Sequence, residues 1–179
     1  TQEDVFRVIE EVVPYTFEKF TNWKVDKGPF VRIPYKEAME KYGIDKPDLR
    51  NPLIIQDVTE CFKDSDFNAF KGKTVKVIVV PDGNNQGRKF FDKMGEFATS
   101  NDVGAKGLAW TKIDENGEVA GGIAKFITPE IKEALQTKYG VENNSAMFFI
   151  ADEFEKAQKI AGLVRIELGK RLDLLEKDV

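Results

Sequence analysis

Few residues of this sequence could do chemistry, because the chain has no histidine and a single cysteine, Cys61. Without histidine, the Ser-His-Asp and Cys-His arrangements and the commonest general base near neutral pH are excluded. One thiol cannot form an internal disulfide or a zinc site of the usual Cys/His kind. Cys61 is therefore interpreted as a half-buried small side chain and not as a nucleophile.

Three aspartates in one region, Asp45, Asp48 and Asp57, resemble a carboxylate site only superficially. General acid–base work needs a carboxyl whose pKa is raised, and no neighbouring residue type predicts such a shift. The segment "DGNNQGRK", residues 82–89, lacks the glycine spacing and the Lys-Ser/Thr ending of a phosphate-binding loop. The pair Gly121-Gly122 could admit a ligand or a backbone, and a bulge or tight bend explains it equally. The sequence thus predicts turn and cap residues, with no catalytic residue and no metal site.

Positive charge that could meet nucleic acid is concentrated in residues 71–89, which hold five cationic side chains against one aspartate. Within this window Arg88 and Lys89 are the first two residues of a predicted helix and are candidates for contact with phosphate. The net charge is −4 and the pI about 5.1, so any such contact must be local. The favoured alternative is a strand edge whose lysines oppose aggregation, and the sequence leaves both open.

The composition indicates a globular protein of the cytoplasm. The chain has 179 residues, of which 41% are hydrophobic and 32% charged with both signs mixed. No apolar run approaches the roughly 20 residues of a membrane helix, and the amino end does not resemble a signal peptide. Because the sequence opens at Thr1 with a helix already under way, we expect it to be a piece of a longer protein.

The first third of the sequence predicts a helix, a strand and a second helix. Thr1 and Asp4 form a capping-box pattern ahead of an apolar stripe, and Pro14 is expected to kink or end that helix. A short strand is predicted around Phe30–Ile33. A helix then follows, with Pro34 suited to its start and Gly43 to its end.

From Thr74 onward, strands and helices alternate, with a hairpin turn predicted at "DENG". Buried strands are predicted at 74–80, 106–113 and 146–152, and helices at 88–99, 129–139 and 153–176. Three strands and three helices in alternation predict an α+β fold, with a small mixed or antiparallel sheet covered by helices on one face.

One motif carries a resemblance to a known family. The segment "PFVRIPYKEAMEKYGIDKPDLRNPL" is similar to the signature Pro-Phe-x-Arg-x-x-Tyr-x-Glu-Ala-Met-x-x-Tyr-Gly-x-Asp-Lys-Pro-Asp-Leu-Arg of bacterial-type aspartyl-tRNA synthetases. The similarity continues, in the family's order, through "DVTECFKDSDFNAF", "GAKGLAW", "IAKF", "MFFIAD" and "GLVRIELGKRLDLL". It covers nearly the whole chain and is weakest between Lys71 and Phe90.

The resemblance implies two regions and a parent enzyme. Residues 1–53 resemble part of the class II catalytic domain and its connector, whereas residues 54–179 resemble the GAD insertion domain. The parent would attach aspartate to tRNA-Asp using ATP and Mg²⁺ and would be a homodimer. The segments resembling its motifs one, two and three are missing here, so the resemblance implies a monomeric fragment without cofactor or catalytic activity of its own.

By the same resemblance, the loop "KYGIDKPDLRNP" joins the catalytic core to the insertion, and its two prolines restrict the direction in which the insertion leaves. Lys46 and Arg50 would lie near the path of the tRNA acceptor end and could contact phosphate there. In the equally weighted alternative, Arg50 pairs with Asp45 or Asp48 and holds the shape of the loop.

Two other functions stay open beside a tRNA-placing insertion. The chain could be a protein-interaction module within a tRNA-linked complex. It could also be part of the B subunit of the tRNA-dependent amidotransferase, which shares the GAD domain. The motif "YGIDKPDLR" disfavours the amidotransferase, because it resembles the synthetase alone.

Overall fold

The computed structural model of the chain describes residues 1–22, 25 and 28–177. The chain divides into two compact units, Thr1–Pro34 and Tyr35–Val179. The domain boundary that the resemblance implies, between residues 53 and 54, stays a prediction. Part of the predicted second range, residues 178 and 179, lies outside the described residues.

The first unit contains one long helix, α1 (Gln2–Phe20), which begins with the predicted capping box. The Thr1 hydroxyl accepts from the amide of Asp4, and the Asp4 carboxylate accepts from the Thr1 ammonium at 2.8 Å. Pro14 lies inside α1 and does not end it. The helix therefore loses one backbone hydrogen bond at Pro14 and continues for six more residues.

The predicted strand at Phe30–Ile33 is wrong, since the described chain has no strand there. A strand needs a neighbouring strand to pair its backbone groups, and here a helix side chain takes that role. The amide of Phe30 donates to Glu10 Oε1 at 3.2 Å. Arg32 donates to both carboxylate oxygens of Glu3 at 3.0 Å, with its guanidinium 4.2 Å from the Phe6 ring centroid. This segment is thus fastened to α1 by side chains.

The second unit is built from four helices and one five-stranded sheet. The helices are α2 (Tyr35–Tyr42), α3 (Arg88–Thr99), α4 (Pro129–Tyr139) and α5 (Phe154–Arg171). The strands are β1 (Ile55–Asp57), β2 (Thr74–Val80), β3 (Ala109–Ile113), β4 (Val119–Ala120) and β5 (Ala146–Asp152). Their order is β1-β2-β5-β3-β4, and every neighbouring pair is antiparallel.

Side chains of the central strands alternate between two apolar cores. On one face, Ile78 and Phe148 pack against α3 and α5. On the other face, Val77 and Phe149 pack against α4 and the 3₁₀ turn Thr59–Phe62. The predicted α+β class and antiparallel sheet are confirmed. Helices were predicted to cover one face of the sheet, but they cover both faces, because α4 packs on the face opposite to α3 and α5.

The described part of the chain contains five α-helices. None of them combines the length and the apolar character that crossing a membrane needs.

Candidate functional site

The loop after α2 is the first candidate, and we call residues 43–54 the connector. It begins at Gly43, which has a φ of +70°. This left-handed conformation is rare for residues other than glycine. Apart from turns and bends it has no regular secondary structure before β1. Its inward-facing carbonyl groups therefore need donors from elsewhere in the unit.

Arg165 on α5 supplies those donors. Its side chain is 1% exposed and donates to the carbonyl oxygens of Leu53, of Asn51 at 2.7 Å and of Asp48 at 3.2 Å. The guanidinium carbon lies 4.9 Å from the Tyr42 ring centroid. Burial lowers the pKa of Arg165, and no carboxylate among the described residues pairs with it. The buried cation is thus stabilised by backbone carbonyls and an aromatic face.

Asn51 closes the same network from the connector side. Its amide nitrogen donates to the Arg165 carbonyl at 3.0 Å, and its amide oxygen accepts from the Leu53 N–H at 3.1 Å. The chain beyond α5 returns to the connector, where the amide of Glu176 donates to the Arg50 carbonyl at 3.0 Å. The C-terminal half of α5 and the chain that follows it are therefore tied to the connector through hydrogen bonds.

The start of the connector also packs backbone to backbone on α5. A Cβ added to Gly162 would lie 2.6 Å from the Gly43 carbonyl oxygen, a distance that no real Cβ tolerates. One turn earlier, Gln158 donates to the carbonyls of Met39 and Glu40 at the end of α2. Glycine at both positions is thus a requirement of the close approach.

Lys46 and Arg50, the predicted phosphate contacts of this region, lie in the connector with exposed side chains. Arg50 forks onto Asp48, with Nε–Oδ1 at 3.0 Å and Nη2–Oδ2 at 2.7 Å, and this hydrogen bonding lowers the pKa of the Asp48 carboxyl. Lys46 pairs with Asp45 at 2.5 Å and lowers the pKa of that carboxyl in the same way. The loop-shaping pair of Arg50 is therefore present, while its contact with phosphate stays a prediction.

Arg88 and Lys89, the other predicted pair, lie in the first turn of α3. Arg88 is 88% exposed, 3.8 Å from Asp92, and borders a cleft of about 490 Å³ that also includes Trp110 and Lys112. Lys89 is exposed and does not line this cleft. The two predicted pairs lie on different elements, and the cleft beside Arg88 is lined by none of the other three cations.

Gly121 and Gly122, which line the same cleft, pack closely against Trp110. Their φ angles are +76° and +47°, and a Cβ on Gly122 would fall 1.8 Å from the Trp110 carbonyl oxygen. A Cβ on Gly121 would fall 2.3 Å from the Trp110 ring. The pair makes a tight bend over Trp110, whose ring stacks on Phe91 at 4.0 Å.

A larger opening, which we call the aromatic cavity, has a volume of about 540 Å³. It lies beside the end of β5, beneath the loop that leads into β3. Its lining is mostly apolar and includes Phe67, Phe70, Ile123 and Phe149, together with Lys73, Lys106 and Asp152. The sequence did not predict a cavity there.

The remaining reactive side chains have structural partners. Asp57 accepts hydrogen bonds from Thr59 and from Lys76, whose side chain is 3% exposed. Cys61 is half-buried beside Tyr139, whose pKa is raised by burial and by Cys61. Among the described residues, no group of three or more histidine, cysteine or acidic side chains could hold a metal ion.

Sequence reasoning missed Arg165 and Gln158 as functional positions. Both lie on the stripe of α5 that also carries Ala161 and Leu168, at spacings of three, four and seven residues. A polar residue on an otherwise apolar helical stripe is the signal that could have identified them, because such a side chain must find buried partners.

Comparison with known proteins places these features in a family context. The family described as the GAD domain matches residues 67–161. An aspartate--tRNA(Asp/Asn) ligase of Rickettsia felis is 54% identical over 183 aligned residues, which cover 99% of this chain and 30% of the relative. The ligases of that name from Rickettsia africae and Rickettsia prowazekii are 53% and 50% identical with the same coverage. The chain thus spans about 30% of the length of these relatives.

Proposed function

Because the chain belongs to the GAD domain family, we propose that it is the GAD-containing segment of an aspartate–tRNA ligase. The observation that carries the proposal is identity of 50 to 54% with such ligases along 99% of the chain. The complete enzyme would attach aspartate to tRNA-Asp in the cytoplasm as a homodimer, using ATP and Mg²⁺ bound outside this segment. The segment alone would be monomeric and inactive.

Within that enzyme, we assign the segment the task of placing tRNA without doing chemistry. The connector is fastened to α5 by Arg165, Asn51 and the close approach at Gly162. An insertion held in this way keeps a set direction relative to the chain that enters it, which a flexible linker would not provide. Holding a bound tRNA in one orientation requires such stiffness.

The first test measures tRNA binding by the complete ligase. We expect alanine at Arg88 or Lys89 to weaken tRNA binding and to reduce the slope of log K against log salt by about 0.7–0.9 for each lost phosphate contact. Lys138→Ala is the matched control, since Lys138 is an exposed lysine on α4, on the opposite side of the sheet. Unchanged affinity and slope in every variant would contradict tRNA placement by these residues.

A second test separates the two roles of Arg50. If Arg50 contacts phosphate, Arg50→Ala lowers the salt slope; if it serves the Asp48 pair alone, the slope is unchanged and only local stability falls. The 179-residue chain incubated with aspartate, ATP and tRNA should show no aspartate-dependent ATP–pyrophosphate exchange. Exchange by this chain would contradict its assignment as a non-catalytic segment.

A protein-interaction module is the second candidate, and α1 provides the observation that favours it. Val5, Val8 and Val12 are between 53% and 60% exposed on this helix. An apolar interface weakens little as salt rises, whereas phosphate contacts weaken steeply. Salt-insensitive association of the chain with another protein, without any shift on adding tRNA, would favour this candidate.

A further inference from the structure

The aromatic cavity has an apolar wall made of interlocked rings. Phe67 and Phe70 lie 4.7 Å apart at an angle of 70°, and Phe67 lies 4.6 Å from Phe126. Phe70 and Phe149 are buried, whereas Phe67 is half-buried and keeps ring surface open at the cavity. The wall is therefore preorganised by packing and can receive a flat apolar group without rearranging.

The charges around the cavity are few and unequal. Lys73 pairs with Glu153 at 2.5 Å, and Asp152 pairs with Lys156 at 2.9 Å. Lys106 is exposed and forms no ion pair with any described residue. The pKa of the Asp152 carboxyl is lowered mainly by Lys156 and to a smaller extent by Lys106, so the cavity offers one ammonium group that lies near a carboxylate without a direct ion pair to it.

We propose that the aromatic cavity binds one unpaired nucleotide of RNA, with the base against Phe67 and the phosphate at Lys106. This inference rests on the proposed function and names what the GAD domain contributes to tRNA placement. A volume of about 540 Å³ lies within the usual range for small-molecule sites, and aromatic rings stack on any base. Binding of this kind requires a base outside a duplex, as at an end, loop or bulge.

The same charges argue against a free nucleoside triphosphate. A triphosphate carries several negative charges and is usually held by several cations or by a metal ion. Here one lysine without a direct ion pair, Lys106, faces a cavity that also contains the carboxylate of Asp152. A single phosphodiester charge matches this arrangement, whereas a triphosphate would be repelled.

The test uses the 179-residue chain with Trp23→Phe, which leaves Trp110 as its single tryptophan. Trp110 lines both the aromatic cavity and the cleft beside Arg88, so its fluorescence reports entry of a base at either place and the cavity variants distinguish the two. We expect saturable quenching on titration with single-stranded hexaribonucleotides A6 and U6, and at least tenfold weaker binding of AMP and ATP. Binding of ATP as tight as that of A6 would overturn the assignment to RNA.

Two variants and one control locate the binding. Ala69 is an exposed residue at the cavity, so Ala69→Phe should obstruct the cavity and weaken hexanucleotide binding about fivefold or more. Lys106→Ala should reduce the salt slope by about 0.7, which corresponds to one phosphate on a single strand. Lys138→Ala is the control, because Lys138 is an exposed lysine that does not line the cavity.

Each outcome bears on the proposal. The proposal would be overturned if millimolar hexanucleotide caused no quenching. It would also be overturned if the Lys106→Ala variant and the control bound the hexanucleotide with equal affinity and salt slope. Both outcomes can be measured even if the Ala69→Phe variant does not fold. If the complete ligase bound tRNA with unchanged affinity in the Ala69→Phe and Lys106→Ala variants, the cavity inference would fail while tRNA placement through Arg88 and Lys89 could stand. Unchanged tRNA binding and salt slope in the Arg88→Ala and Lys89→Ala variants as well would instead contradict the proposed function.

Discussion

Replacement of Arg165 by methionine should destabilise the second unit severely. The guanidinium makes three hydrogen bonds to carbonyls, of which those to Leu53 and Asn51 are buried and the one to Asp48 is partly buried. A hydrogen bond from a charged donor contributes about 1.5–3 kcal/mol, and removal of the buried charge offsets part of the loss. We therefore expect Arg165→Met to lower the free energy of unfolding by about 3–5 kcal/mol.

The measurement is urea unfolding of the 179-residue chain, followed by circular dichroism at pH 7. Arg165→Lys should lose about 2–3 kcal/mol, because one ammonium cannot reach three carbonyls in the fork geometry of arginine. The matched control is Arg171→Met, which removes an ion pair to Glu167 at the end of the same helix and should cost about 1 kcal/mol or less.

Limited proteolysis tests the same reasoning at the connector itself. Trypsin cleaves after Arg50 but not at Lys46, which precedes proline. Loss of Arg165 should release the connector and accelerate cleavage at Arg50, whereas Arg171→Met should leave that rate unchanged. The reasoning would be refuted if Arg165→Met unfolded within about 1 kcal/mol of the wild-type chain and was cleaved no faster at Arg50.

Two further predictions concern stability. Gly162→Ala should lower the free energy of unfolding in urea by about 1–3 kcal/mol, because the added methyl group meets the backbone of the connector. Gly95→Ala on α3 is the control, since its methyl group enters open space and should raise the free energy of unfolding by about 0.5–1 kcal/mol. Equal effects of the two substitutions would contradict the close approach at Gly162. Burial raises the pKa of the Asp57 carboxyl. Hydrogen bonds from Thr59 and Lys76 lower it by a larger amount, so the pKa lies below its ordinary value. Its contribution is present above the unfolded pKa of about 3.9 and is lost as pH falls through the lower folded pKa. Asp57→Asn should therefore cost about 1–2 kcal/mol at pH 7 and progressively less as pH falls through the folded pKa of Asp57, and a pH-independent difference would be inconsistent with this.

Local elements of the fold were predictable where the sequence contains its own start and stop signals. Thr128 caps α4, Pro129 opens it, and Gly140 ends it with a φ of +66°, as the spacing of these residues predicts. The hairpin at "DENG" closes through the Asp114 amide and the Glu118 carbonyl at 3.0 Å. These features depend on residues a few positions apart, which is the range that propensity and periodicity describe.

Features that depend on distant residues were not predictable in the same way. Phe30–Ile33 has the composition of a strand but forms none. A strand forms only beside another strand, and the local sequence does not specify such a neighbour. β1 has three residues and pairs with β2, where Ile55 lies opposite Ile78, a residue 23 positions further along the chain. The aromatic cavity depends on residues from four separate segments, 67–73, 106–110, 122–123 and 149–152, so neither its existence nor its lysines could be inferred from spacing.

The choice of arginine at position 165 follows from the connector it serves. Pro47 and Pro52 have no amide hydrogen, and the connector pairs with no strand, so its carbonyls cannot be satisfied within a regular ladder. A leucine at this place would fill the space but would leave buried oxygens without donors. Arginine supplies donors to three carbonyls from one rigid group, and these bonds form only when connector and helix are in register. The direction in which the GAD domain leaves the connector is therefore coupled to the position of α5 in the core, so that loosening α5 would also release the connector.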